Sequence, residues 1–274
     1  MRASLRTEGP ACAVLKPADT AEVAALVRLD VVTAGMLALV CTLAMVVARY
    51  SRSYLRGDPG AQRYGRALLA TLGAVTTLVL ADDLVVIAGA WMATSFALHQ
   101  LLTFFHDRTG ALVAAHKKFL QSRLADACVL VALALLGRAV GSLRLPEIHA
   151  WAQAHPVLPP AVQVATVLLV VVVCLKSAQL PFHGWLTQVM EAPTPVSALL
   201  HAGIVNIGGL LMIRLAPLMA HAALAQTLLV VVGTSTAVVA ALVMTTRVSI
   251  KVALAWSTAA QMGFMLVELW ILLV

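Results

Sequence analysis

Eight stretches of predominantly apolar residues follow one another along this sequence, near 30–49, 67–81, 84–105, 119–137, 161–180, 195–213, 223–245 and 251–273. A run of roughly 20 such residues, wound as a helix, matches the hydrocarbon core of a bilayer. Hydrocarbon offers no water to satisfy a backbone N–H or C=O, so spans of this kind must be helices, with their hydrogen bonds closed within the segment. Only 11% of the chain is charged and 61% is hydrophobic, whereas soluble domains carry about 25% charged residues. The expected fold is therefore all-α integral membrane with about eight transmembrane helices. A polar N-terminal segment, 1–29, precedes a transmembrane domain over 30–274, and its first partner is the lipid bilayer.

The second span is short because Ala81, Asp82 and Asp83 force a tight polar reversal. The formal charge of +7 does not indicate nucleic acid, because the basic residues are not gathered into a patch with interleaved aromatics. They fall between the spans, where they report topology. Loops on one side hold 11 of them: Arg49, Arg52, Arg56, Arg63, Arg66, Arg108, Lys117, Lys118, Arg123, Arg247 and Lys251. The other side holds 7: Arg138, Arg144 and Arg214, with Arg2, Arg6, Lys16 and Arg28 in the N-terminal tail. Basic loops stay on the cytoplasmic side, so the 50s loop is expected inside and both termini outside. The cysteines at 12, 41, 128 and 174 form no CxxC, which indicates neither a zinc site nor a disulfide framework. They read as buried structural thiols.

One basic residue of the 19, Lys176, lies inside a span. A charged side chain in the hydrocarbon core costs roughly 2.5–3.5 kcal/mol even on the lenient insertion scale, so it faces protein or water and marks a functional site. Snorkelling to the interface is disfavoured by its depth in the apolar run from Ala161. Pro181, Gly184, Pro193 and Pro195 then interrupt the helical pattern, freeing backbone groups at membrane depth. Such breaks are tolerated where they are buried in protein or line a hydrated cavity, and transporters use them to bind ions. Lys176 precedes the break closely enough for the freed carbonyls to stabilise it.

His201 follows Pro195 by six residues and reads as a proton relay, its imidazole titrating near neutrality, with His183 and Glu191 nearby in the same polar stretch. Gln179, Ser177 and Asn206 are placed to hold waters. Lys117 and Lys251 each open a span and are either positive-inside anchors or members of the path. Asp126, nine residues past Lys117, sits deeper among apolar residues. Glu268 reads as an acid at the external interface. No metal-ligand cluster, nucleophile elbow or phosphate loop occurs; the spacing of His183 and Glu191 lacks the i, i+4 geometry of a zinc site. The chain reads as a transport subunit without a cofactor, not an enzyme.

The stretch KSAQLPFHGWLTQVMEAPTPVSALLHAGIVN, with AAHKKFLQSRLAD before it and IKVALAWSTAAQMGFM after it, resembles the antiporter-like, proton-conducting membrane subunits of respiratory complex I and of multi-subunit sodium/proton antiporters. The resemblance implies inverted five-helix repeats, each with a broken helix carrying a lysine. One repeat, about 67–213, is complete here, and about 223–274 begins a second, so a partner is expected to cover the open end of the hydrophilic axis. By the same resemblance Lys176 is the lysine before the break, Lys117 the lysine paired with a glutamate, His201 the relay histidine and Lys251 the lysine of the central axis. The family's glutamate after a tryptophan is missing: Met92 follows Trp91, the span holds no acid, Asp107 comes just after it, and His99 is its one ionisable group.

The wording ATSFALHQLLTFFHDR and KKFLQSRLAD is more similar to the DabB family, membrane subunits of two-component inorganic-carbon pumps, in which a neutral residue after the tryptophan is usual. That resemblance implies conduction of a proton or sodium ion across a bacterial inner membrane. It also implies a large DabA-like, zinc-containing partner related to β-carbonic anhydrases. The alternative is a proton-translocating subunit of an NADH-quinone oxidoreductase or an Mrp-type antiporter.

Overall fold

A computed structural model describes residues 27–105, 109–189 and 192–273 of the chain. The described residues contain α-helices and short turns but no strand beyond two isolated bridges. In chain order the helices are α1 (Val31–Tyr54), α2 (Ala61–Leu80), α3 (Leu84–Leu102), α4 (Thr109–Val140), α5 (Leu145–Ala154), α6 (Pro160–Lys176), α7 (Gly184–Gln188), α8 (Thr194–Ala202), α9 (Ile207–Arg214), α10 (Ala216–Met219), α11 (Ala223–Thr245) and α12 (Ile250–Leu273). Each of the eight apolar windows is mostly helix, that at 195–213 being divided by a turn and that at 161–180 ending at Lys176. Six stretches are long and apolar enough to cross a membrane, counting Thr194–Arg214 as one, and α6 is a shorter apolar helix. α2 has 20 residues, with Arg63 and Arg66 diluting its first turns. Arg2, Arg6, Cys12, Lys16, Asp107, Arg108 and Glu191 lie outside the described residues.

Three expectations about loops need correction. α4 was expected over 119–137 but runs for 32 residues from Thr109, about 48 Å. Ala114, Ala115, Lys117 and Lys118 are strong helix formers with no breaker among them, so these lysines sit inside the helix. α5 was not foreseen, although Pro146 near its start, Glu147 in its first turn and buried Leu145, Ile148 and Ala152 are helix-start and one-face signals. Arg214 is no loop residue. It ends α9 at 4% exposure and donates to the carbonyls of Leu78 (3.3 Å), Ala81 (2.6 Å) and Val79 and to Thr33 Oγ1 (3.1 Å). One guanidinium thus satisfies the last turn of α2, whose terminal carbonyls have no helical partner.

That end of the bundle is polar. The Asp30 side chain caps α1 by accepting from Thr33 N (2.7 Å) and pairs with Arg28 Nε (2.6 Å). Slight burial pushes the Asp30 carboxyl up, but the Thr33 and Arg28 hydrogen bonds outweigh it and hold the group down at about 2. Asp83 caps α3 through Val85 N (2.7 Å), and Asp82 O accepts from Leu145 N (3.0 Å). The reversal expected at 81–83 is therefore fastened to the α4–α5 turn. Elsewhere small residues bring helices together: a Cβ on Gly263 of α12 would lie 2.6 Å from Gly233 O and Ala237 N of α11. Cys174 is buried, as expected of a structural thiol, but Cys41 is exposed on α1 and Cys128 half-buried.

The break after α6 is built in detail. Pro160 starts the helix at a position where a missing N–H costs nothing. At its other end Ala178 takes a left-handed φ of +53°, and Gln179 N–H returns to Cys174 O (3.0 Å), closing a Schellman cap. A non-glycine residue in that conformation costs about 1–2 kcal/mol; burial of Ala178 at 0% exposure holds it there. Gln121 of α4 spans the gap, its Nε2 donating to Leu175 O (3.0 Å) and Phe182 O (2.9 Å). Leu180 N–H donates to Thr236 Oγ1 (3.1 Å). The return span is also interrupted, at Gly203 and a 3-10 turn over Ile204–Asn206.

Candidate proton path at the broken helix

Lys176 is the last residue of α6. Side chains on a helix tilt toward its N-terminus, so its ammonium points back along α6 and away from the break. The expectation that freed carbonyls stabilise it is corrected: Gln121 takes two of them, and Lys176 Nζ donates instead to Asp126 Oδ1 (2.8 Å) and Ser95 Oγ (3.1 Å). The nitrogen also lies 5.1 Å from the centre of the Trp91 ring, within cation–π range. Both charged side chains are buried, at 6% and 7% exposure. The second carboxylate oxygen of Asp126 is 2.7 Å from an Arg123 nitrogen. That guanidinium is stacked on Phe96, 4.0 Å from its centroid.

The counter-charge of Lys176 is therefore supplied from α4, whereas Lys117, the lysine expected to pair with a glutamate, is exposed and outside this pair. Met92 packs against the core, and Asp126 takes the counter-charge role with Arg123 as a second partner. Removing one member of a buried pair typically costs 3–5 kcal/mol because it strands the other charge. Asp126 avoids that fate when Lys176 loses a proton, since Arg123 still compensates the carboxylate.

Beside the pair lies a small cavity, lined among others by Thr94, Ser95, Lys118, Ser122, Lys176 and Trp185, with about 20 Å³ open to the centre of a water molecule. That is room for about one water. Lys117, named from the sequence, is exposed and its Nζ rests against Gly184, where a Cβ would stand 3.1 Å away. Its neighbour Lys118, at 7% exposure, faces the cavity. Residues four apart share a helix face while adjacent ones do not, so Lys118, Ser122 and Asp126 form one row. The i, i+4, i+8 spacing was present in the sequence and would have found Lys118.

His201 is half-buried on α8, and its Nδ1 is 2.9 Å from Thr258 Oγ1 of α12. Thr258 already gives its hydroxyl hydrogen to Leu254 O (2.9 Å). His201 must therefore donate from Nδ1, which leaves Nε2, buried and without a partner, as a free proton acceptor. Leu200 and Ile204, on either side of it in sequence, wall the Lys176 cavity. Lys251 is exposed in the first turn of α12, two turns before Thr258 and outside the buried cluster. The His183 ring sits 4.9 Å from that of Trp256, its Nδ1 buried and unpartnered. The polar groups expected to hold water are partly committed: Ser177 Oγ donates to Val205 O and Asn206 Nδ2 to Ala202 O (both 3.1 Å), while Gln179 Oε1 is buried and free. No group of three or more metal-ligating side chains occurs among the described residues.

Residues 81–272 match the family described as NADH:quinone oxidoreductase/Mrp antiporter, TM, and residues 17–65 match the family described as NADH-Ubiquinone oxidoreductase (complex I), chain 5 N-terminus. The chain is 50% identical over 234 residues to the "Probable inorganic carbon transporter subunit DabB" of Hydrogenovibrio crunogenus, covering 85% of this chain and 45% of that protein. It is 46% identical over 253 residues to "Probable inorganic carbon transporter subunit DabB2" of Halothiobacillus neapolitanus, covering 92% and 46%. With NADH-quinone oxidoreductase subunit L of Mycobacterium tuberculosis the identity is 34% over 240 residues, covering 87% and 37%. The Mrp complex from Dietzia sp. DQ12-45-1b superposes with a TM-score of 0.78 at 33% identity, covering 85% of this chain and 26% of that one. The chain thus spans a little under half the length of the curated relatives it matches.

Proposed function

This chain belongs to the NADH:quinone oxidoreductase/Mrp antiporter transmembrane family, and we propose that it is the cation-conducting membrane subunit of an energy-coupled inorganic-carbon pump. In this reading it is a multi-pass protein of a bacterial inner membrane that moves a cation and performs no chemistry of its own. It works with a DabA-like, zinc-containing subunit related to carbonic anhydrases, which hydrates CO2. The observation that carries conduction is the buried Lys176–Asp126 pair beside a broken helix and a water-sized cavity. The carbon substrate is supported by the 50% and 46% identity to relatives named as inorganic carbon transporter subunits.

The geometry supports a simple cycle. Lys176 rests as an ammonium on Asp126; when it releases a proton to the cavity water, Arg123 keeps the carboxylate compensated and the Ser95 hydroxyl is free to donate to the neutral amine. Reprotonation restores the pair. The His201 Nε2 acceptor, one wall away, is the onward site in the direction of α12.

A complex purified through this chain from its native membrane is expected to contain a zinc protein and no quinone-reducing subunits, and Lys176→Ala is expected to abolish bicarbonate accumulation. Quinone-reducing partners, or unchanged accumulation in Lys176→Ala, would refute the reading. The first of those results is the outcome expected of an NADH-quinone oxidoreductase subunit, which with an Mrp-type antiporter subunit is the alternative; the lower identities of 34% and 33% are what support it. Neutral Met92 after Trp91 speaks against it.

A further inference from the structure

Lys118 faces the same cavity as Lys176 from α4, two turns before Asp126, and is equally well buried. It forms no hydrogen bond or ion pair with any described residue, in contrast to Lys176. The titratable and charged groups around it are Arg123 and Asp126 on its own helix, Lys176 on α6 and His99 on α3, while α7 contributes the uncharged Trp185 indole. Both oxygens of the one carboxylate are already engaged, by Lys176 and by Arg123. With His99 neutral, two ammonium groups and a guanidinium against one carboxylate would put a net charge of +2 in a low-dielectric volume, where like charges repel far more strongly than in water. An ammonium has three donors and no acceptor, and among the described residues none accepts a hydrogen bond from Lys118, which leaves it the cavity water alone. A neutral amine at Lys118, by contrast, presents a lone pair to the cavity water.

We propose that Lys118 and Lys176 are a two-lysine proton relay, in which one ammonium and one neutral amine exchange a proton through the water between them. The inference rests on the conducting role of Lys176 and names the cation as a proton. The transfer balances: the Lys176 ammonium gives a proton to the water, the water passes one to the Lys118 amine, and Asp126 remains compensated by Arg123. The cluster holds one lysine proton throughout, so its net charge stays at +1. Lys118 lies about 12 Å nearer the N-terminal end of α4 than Asp126, by helical rise, which is the side expected to face the cytoplasm.

The test uses the intact complex from the native membrane, reconstituted in vesicles, with proton flux followed by a pH-sensitive dye under an imposed potential. Lys118→Met and Lys118→Arg are each expected to lose roughly 100-fold in flux, the scale of a missing proton-transfer group, while assembling normally. An arginine side chain does not release its proton, so a Lys118→Arg complex that conducts like wild type overturns the relay. Lys176→Ala separates the two claims: if it conducts like wild type, the conducting role itself falls, whereas its inactivity beside an active Lys118→Arg removes only the relay. Nitrogen-15 resonances of the lysine Nζ atoms give a reading independent of flux. Wild type is expected to show a neutral amine that disappears in Lys118→Met. Its persistence in that variant, or a wild-type spectrum with ammonium signals alone, overturns the proposal even where Lys118→Met assembles poorly.

Discussion

Asp126→Asn removes the charge of the site and leaves its shape. Lys176 keeps Ser95 as an acceptor but loses its carboxylate at 6% exposure, where water does not compensate; Arg123, at 28% exposure, is solvated more readily. Stranding a buried charge costs about 3–5 kcal/mol. The loss has a ceiling, because the lysine sheds its proton once that becomes cheaper. Deprotonating a lysine of reference value about 10.4 at pH 7 takes about 4.6 kcal/mol, at 1.36 kcal/mol per unit. The ceiling has a sign in pH. With the folded variant holding a neutral lysine and the unfolded chain a protonated one, the unfolded state binds more protons, so stability rises with pH. The deficit of Asp126→Asn relative to wild type should shrink by about 1.4 kcal/mol per unit between pH 7 and 9, because the folded variant holds one more neutral lysine than folded wild type. Thermal unfolding of the detergent-solubilised protein across that range, with Lys176→Met/Asp126→Leu beside it, measures this. The double variant should recover most of the loss, since an apolar replacement of a buried pair is often neutral or better. A deficit relative to wild type that does not change with pH, or a double variant as weak as the single one, would refute the buried pair.

Arg214→Met should destabilise by about 1–3 kcal/mol for each carbonyl it leaves unpaired at the end of α2, Leu78, Val79 and Ala81. Arg214→Lys should restore little, since one ammonium does not reproduce the planar fork; full rescue of the melting temperature would count against the capping role. Asp30→Asn keeps an N-cap and removes the charge. Because the carboxyl is held down at about 2, wild type should exceed the variant in stability above about pH 4, the ordinary range for aspartate, and the advantage should vanish as pH falls through about 2. The Arg28 pair is partly exposed, so the gap is small, about 0–1 kcal/mol. An advantage that grows on acidification would contradict the hydrogen bonds drawn to Asp30.

The helices were legible because hydrophobicity over about 20 residues leaves the backbone no alternative in a bilayer. Polar punctuation was legible too: Asp82 and Asp83 turn the chain, and Pro181 with Gly184 break it. Helix ends and helix faces were harder to read. Counting basic residues as loop markers put Arg214 outside the core and Lys117 with Lys118 at a span's edge, because a charge rule has no term for carbonyls that a guanidinium caps or for a helix 32 residues long. Periodicity would have separated Lys118 from Lys117. No spacing rule joins Lys176 to Asp126, because the pair is 50 residues apart in sequence and arises from the packing of α4 against α6.

That packing gives α4 two tasks at one level of the membrane. Asp126 supplies the counter-charge for Lys176, and Gln121, five residues earlier on α4, ties together Leu175 and Phe182 on the two sides of the break. An acid on α3, after Trp91, would leave those tasks on separate helices. Under the proposed cycle, a displacement of the break would act on the Gln121 amide and the Lys176 ammonium through the same helix, so opening the pair and shifting the backbone would be coupled. Arg123 makes that event affordable, because the carboxylate is never left bare. In the proposed cycle a neutral Met92 is then no defect in the site: the counter-charge of Lys176 comes from α4, together with a guanidinium that stays charged when the lysine does not.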